Sequence, residues 1–107
     1  MSRSGWEESV TRGIIGYGVH VPYYRLQRSA IGAALGTGGG KGTRAVASYD
    51  EDATSMSVEA ARAALRSFDA PIPAAIYFTS STPPYLDKTN ANAVHAALNY
   101  PSDVLAV

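Results

Sequence analysis

The chain has 107 residues, the size of one domain, and 46% of them are hydrophobic, enough for a single core. Nine basic and nine acidic side chains give a formal net charge of zero, so there is no cationic excess to neutralise nucleic-acid phosphates. There is no cysteine, which excludes disulfides, thiolate metal sites and a cysteine nucleophile within this chain.

No apolar run approaches the ~20 residues that a membrane span needs. The N-terminus lacks the apolar core of a signal peptide. The expectation is a cytoplasmic protein that engages neither nucleic acid nor membrane and holds no metal. Residues 1–12 are polar and aperiodic and read as a flexible arm carrying Trp6. Residues 13–107 read as one α/β unit.

"GIIGYGVHV", residues 13–21, reads as the first strand and is stopped by Pro22. Ile15, Tyr17, Val19 and Val21 share one face, and Ile14, Gly16, Gly18 and His20 share the other. Two glycines on one face predict close approach of another backbone or helix. Their spacing is not that of a dinucleotide-binding turn. His20 reads as a packed or rim histidine and not as a base.

Ser29 is placed to cap a short helix over residues 30–35, with Gly36 as its stop. The following "GTGGGKGTR" looks like a phosphate loop but fails on spacing. Leu35 stands where a Walker loop needs glycine, and Gly42 stands where it needs Ser or Thr. The segment reads as a mobile surface loop in which Lys41 and Arg44 could touch an anionic ligand.

"YDEDATSMSVEAARAALRSF", residues 49–68, is the clearest helix. Val58, Ala61, Leu65 and Phe68 recur on one face. Acidic residues crowd the start and Arg62 and Arg66 the end, as the helix dipole favours. Asp50, Glu51 and Asp52 therefore read as helix-start residues and not as catalysts. Glu59 can pair with Arg62 one turn on. Ala60, Ala61, Ala63 and Ala64 let this helix sit close to a sheet.

Residues 74–80 form the second predicted strand, apolar enough for burial on both faces. After it come the hydroxyls and prolines of "TSSTPPYLDKTN". Asn90 is placed to cap a helix through Leu98, with His95 packed inside it. Residues 104–107 are apolar and read as a last strand. The order is strand, helix, helix, strand, helix, strand: α/β layers on a largely parallel sheet that lacks its final helix. Open sheets of this kind bind ligands beyond the carboxyl ends of their strands.

Three stretches, "GIIGYGVHVPYYRL", "DEDATSMSVEAARAAL" and "IYFTSSTPPYLDKTNANAVHAAL", resemble in order and spacing the opening of 3-hydroxy-3-methylglutaryl-CoA synthases of the archaeal type. That family belongs to the thiolase superfamily together with 3-oxoacyl-acyl-carrier-protein synthase III. The resemblance covers about residues 13–107. It implies a thiolase-like fold, of which this would be an incomplete N-terminal portion of a mixed, helix-covered sheet. It also implies acyl transfer from a coenzyme A thioester with carbon–carbon bond formation, and a homodimer or higher assembly. The coenzyme A thioester would be substrate and not a resident cofactor.

In the family a cysteine at a helix start takes the acyl group, a glutamate draws the proton and a histidine binds the acyl oxygen. The cysteine and histidine positions fall beyond Val107. The glutamate lies in the family's Gly-Ser-Glu-Ser-His-Pro-Tyr loop. Here that loop reads Thr79-Ser80-Ser81-Thr82-Pro83-Pro84-Tyr85, so alignment on Pro84-Tyr85 puts Ser81 at the glutamate position. A serine hydroxyl is too weak an acid to serve as a carboxylate base near pH 7. Asp87 is the nearest carboxylate and the candidate substitute. Lys41 and Arg44 fall where the family carries basic residues toward the coenzyme A phosphates. The expectation is that the intact protein is an acyltransferase and this chain alone is not, the rest of the site coming from further polypeptide or a partner subunit. The alternative is a non-catalytic acyl-CoA-binding or scaffolding member of the superfamily.

Overall fold

The computed structural model describes residues 12–107. The expected polar arm therefore lies, except for Arg12, outside the described residues. The elements are β1 (Tyr24–Gln27), α1 (Arg28–Leu35), β2 (Thr43–Val46), α2 (Ala53–Arg66), β3 (Ala75–Ile76), α3 (Asn90–Ala97) and β4 (Leu105–Ala106). They form a mixed α/β arrangement of three helices and two small sheets among the described residues. The largely parallel single sheet expected from the alternation is not what forms: β1 and β2 pair antiparallel, and β3 and β4 pair parallel in a separate sheet.

Residues 13–21 do not form the expected strand. Among the described residues they make no backbone–backbone hydrogen bond, because no strand of the described chain lies beside them. Their glycine face nevertheless behaves as its composition predicts. A Cβ on Gly18 would stand 2.3 Å from the Ala60 carbonyl oxygen and 2.3 Å from the Ala64 nitrogen of α2. One on Gly16 would stand 2.1 Å from the Phe68 ring. The alanines of α2 thus receive this extended segment and not a sheet. Ile15, Tyr17, Val19 and Val21, on the opposite face, are exposed.

The first real strand begins three residues later than the expected one ends. β1 runs directly into α1, which starts at Arg28 with Gln27 at the cap position and no side-chain cap hydrogen bond. Ser29 is inside the helix and caps nothing. Gly36 does stop it, in the left-handed conformation (φ 72°), with its N–H on the Gly32 carbonyl. The glycine run then folds back on α1. Gly39 lies so close that a Cβ would meet the Arg28 carbonyl oxygen at 2.0 Å, and the Arg28 N–H donates to the Gly42 carbonyl at 2.9 Å. The expected free loop is therefore pinned, and residues 43–44 at its end are strand. The register is Tyr24↔Val46, Arg25↔Ala45, Leu26↔Arg44 and Gln27↔Thr43.

α2 is shorter at its start than its periodicity predicts. Asp52 is extended (φ −135°, ψ 179°) and caps the helix: its carboxylate accepts from Ser55 N–H, and the Ser55 side chain answers to the Asp52 N–H. Asp50 and Glu51 thus precede the helix. Glu59 and Arg62 do pair, at 3.1 Å, both about half exposed, a geometry worth little stability.

The second predicted strand, 74–80, shrinks to Ala75–Ile76. Its register with β4 is Ala75↔Leu105 and Ile76↔Ala106, continued by Phe78 N–H to the Val107 carbonyl at 2.8 Å. Burial on both faces is not observed: Tyr77 is exposed. One neighbouring strand cannot cover what two neighbours and two helix layers would. α3 connects β3 to β4 as a parallel crossover and packs on α2. Among the described residues the core is small: Val58, Ala91, Val94 and Val104 are its buried apolar residues, and no large side chain is completely enclosed.

Candidate functional site

β3 and β4 point the same way, so their carboxyl ends open on one edge. A cleft of about 200 Å³ sits there. It is lined by Phe78 and Ser80 after β3, Pro83 in the loop, Thr89, Asn90 and Ala91 at the start of α3, and Val107 after β4. This is the position at which open α/β sheets take ligands. Its lining mixes the apolar residues Phe78, Pro83, Ala91 and Val107 with the polar residues Ser80, Thr89 and Asn90, and its volume fits a small acyl group better than a whole cofactor.

The loop that builds one wall is organised from within. Thr82 N–H donates to the Ser80 hydroxyl at 3.1 Å. Tyr85 is gripped at both backbone groups by the buried Asn90 side chain. The Lys88 ammonium lies 4.1 Å from the centre of the Tyr85 ring, a cation–π contact at the outer surface. Asn90 was expected to cap α3 and does not. Thr89 holds the cap position, without a side-chain bond, and Asn90 is the first helical residue.

Ser81 and Asp87 are both in this loop and both exposed. Neither lines the cleft; Ser80 does. The Ser81 hydroxyl makes no hydrogen bond among the described residues. Lys41 and Arg44 are also exposed, on the β1–α1–β2 unit. No hydrogen bond or ion pair connects either of them with residues 79–90. Arg44 shares a face of the hairpin with Tyr24, Leu26 and Val46, as the register and the two-residue period require. Beside that face is a hollow of about 790 Å³ lined by Tyr24, Val46, Ala47, Ser48, Tyr49 and Asp50.

Neither histidine is placed as a catalyst. His20 Nε2 donates to Glu51 Oε2 at 2.7 Å, with side chains 26% and 20% exposed. Glu51 Oε1 accepts from the Ser48 N–H and hydroxyl, each at 2.9 Å, and the same hydroxyl contacts Asp50. Ser48 and His20 meet opposite oxygens of Glu51, so the serine hydroxyl is not in contact with the imidazole that a nucleophilic serine commonly uses as its base. The Ser48 N–H first, then the His20 contact and the Ser48 hydroxyl, hold the Glu51 carboxyl below the usual range. His95, in α3, donates through Nε2 to the Pro101 carbonyl at 3.0 Å and meets Tyr100 edge-on. Among the described residues no group of three or more His, Asp or Glu could hold a metal ion.

The Asn90 grip and the His20–Glu51 contact escape sequence reasoning. Both join residues of ordinary type across the fold or around a loop. The one available signal was an Asn at a helix start, and it points equally to a cap.

Fold and cleft define a class first: an α/β segment with a cleft at the carboxyl ends of two parallel strands. No protein-family model matches the chain. Curated relatives do. It is 36% identical over 95 residues to the hydroxymethylglutaryl-CoA synthase of Thermococcus onnurineus, covering 86% of this chain and 27% of that protein. It is 36% identical over 97 residues to that of Pyrococcus furiosus, covering 88% and 28%. With that of Methanobrevibacter smithii it shares 37% identity over 103 residues, covering 88% and 30%. Over this stretch the chain belongs with the hydroxymethylglutaryl-CoA synthases, and it spans less than a third of the length of the relatives it matches.

Proposed function

We propose that the chain supplies one wall of an acyl-CoA pocket in a hydroxymethylglutaryl-CoA synthase-like acyltransferase with a thiolase-like fold. The observation that carries this reading is the strand-end cleft, in a chain that matches hydroxymethylglutaryl-CoA synthases over 86% of its length. The cleft would hold the acyl group. The hairpin hollow is of the size range of ligand sites, and Arg44 and Lys41 nearby on that unit would meet the coenzyme A phosphates. The nucleophilic cysteine would come from outside residues 1–107, from further polypeptide or a partner subunit, and a dimer is the expected assembly.

The loop lacks the carboxylate that a condensing enzyme uses to draw a proton from the acetyl group. Ser81 cannot replace it near neutral pH. Asp87, exposed in the same loop, is the proposed substitute. Acetyl-CoA should bind the intact protein, and the Lys41→Gln/Arg44→Gln double variant should bind it about three- to tenfold more weakly at low salt. No measurable binding by calorimetry would end the proposal. Ser81→Glu should raise deuterium wash-in at the acetyl methyl group of the bound thioester. If wash-in stays at the background rate while acetyl-CoA still binds, Ser81 is not the position from which a base acts.

A further inference from the structure

Buried polar groups need partners, and the structure gives one residue an unusual set of them. Asn90 is 9% exposed. Its Nδ2 donates to the Tyr85 carbonyl at 3.1 Å, and its Oδ1 accepts from the Tyr85 N–H at 3.1 Å. This is the two-bond pattern by which one strand holds another, made here by a side chain. The Thr54 hydroxyl, also buried, approaches the same Oδ1 from the first turn of α2 at 3.5 Å. The donors fix the orientation of the amide: turned over, its NH₂ would face two N–H or O–H donors and its oxygen a carbonyl.

Three elements therefore meet at one carboxamide: the loop after β3, the first residue of α3 and the first turn of α2. Asn90 also lines the strand-end cleft. The loop has little else to hold it. Leu86 is almost fully exposed, and Ser81, Asp87 and Lys88 make no side-chain hydrogen bond to the body of the fold among the described residues. We infer that Asn90 is a positioning residue for the cleft. By gripping both backbone groups of Tyr85 it sets where the 79–89 loop stands against the strand ends, and so fixes the width of the proposed acyl site. The ligand part of this inference rests on the acyl-CoA reading above; the grip on the loop does not.

The test uses the intact protein, acetyl-CoA as probe, and amide hydrogen exchange. Asn90→Ala should speed exchange at Tyr85 and its neighbours about tenfold or more and weaken acetyl-CoA binding about tenfold, the scale of one to two lost hydrogen bonds. Leu65→Ala controls for simple loss of stability. Leu65 lies at the other end of the α2–α3 pair, where it lines a shallow hollow together with Ala97 and Leu98. It should lower the melting temperature while leaving Tyr85 exchange and acetyl-CoA affinity within twofold of wild type. Asn90→Asp adds a readout that a packing role would not move. Its carboxylate keeps the Tyr85 N–H bond and loses the donor. It should bind acetyl-CoA weakly at pH 8 and recover toward wild type only as the pH falls through the pKa of the introduced carboxyl, where the neutral acid donates again. Equal effects of Asn90→Ala and Leu65→Ala on exchange and affinity would overturn the inference, as would unchanged Tyr85 exchange in Asn90→Ala. If wild type binds no acetyl-CoA, the acyl-CoA reading and the ligand role of Asn90 fall together, and exchange alone decides whether Asn90 holds the loop.

Discussion

Glu51 illustrates how much a single side chain can do without being a catalyst. It lies just before α2, yet its carboxylate reaches across to His20 and ties the segment 13–21 to the start of that helix. Because the Ser48 and His20 donors favour its anion, its folded-state pKa is below its ordinary value. The sign of the linkage follows. The stabilisation is complete above the ordinary carboxylate range and is lost as pH falls through the lowered folded-state value. Glu51→Gln should melt below wild type at pH 7, and the gap should close on acidification toward pH 3. A gap that widens in acid would mean that the anion is not the stabilising form. Gly18 acts by having no side chain. Gly18→Ala forces a carbon into the backbone of α2, whereas Gly16→Ala meets a ring that can turn. Denaturant melts should show Gly18→Ala as the costlier change, at about 1–3 kcal/mol or more.

At the level of elements, α2 is the part that local chemistry specifies best. Asp52 and Ser55 form a reciprocal cap, and Asp52→Ala should cost about 1 kcal/mol in urea unfolding, while Asp52→Asn should cost only a few tenths. An equal loss for both variants would place the effect in charge and not in the cap. The face of α2, its Glu59–Arg62 pair and the Gly36 stop of α1 were all legible, because each depends on residues within one or two turns. Strands were less legible. Residues 13–21 have the apolar alternation of a strand, and 74–80 the apolar run of a buried one. Pairing is a property of the neighbour, and the described chain offers the first segment no neighbour and the second only β4. Conversely, β1 and β2 carry Tyr, Arg, Gln and Thr, with no alternation strong enough to announce them.

Across the whole molecule the balance between apolar content and burial is the telling quantity. The Cα radius of gyration is 19.1 Å, where a compact chain of this length would have about 13 Å. Ile14, Ile15, Tyr17, Val19, Ile72, Tyr77 and Leu86 are among the large apolar side chains left open to solvent. Surfaces of this kind are normally covered. Made by itself, polypeptide 1–107 should bind a hydrophobic dye and elute from a sizing column above its monomer mass. A dye-silent monomer with a cooperative melt would show that these faces need no cover. No helix among the described residues is long and apolar enough to cross a membrane.

The sequence by itself determined the existence of the three helices, the Gly36 stop of α1, the close approach encoded by Gly16 and Gly18, and the kinship carried by three ordered stretches. All of these reside in short-range chemistry or in the identity of residues along the chain. Only the tertiary structure decided which strands pair, that Ser80 and not Ser81 lines the cleft, and that Asn90 grips a loop and caps no helix. The reason is physical. Hydrogen-bond partners and burial are assigned by whatever comes to lie alongside, and that neighbour is chosen by the fold and not by the residues on either side.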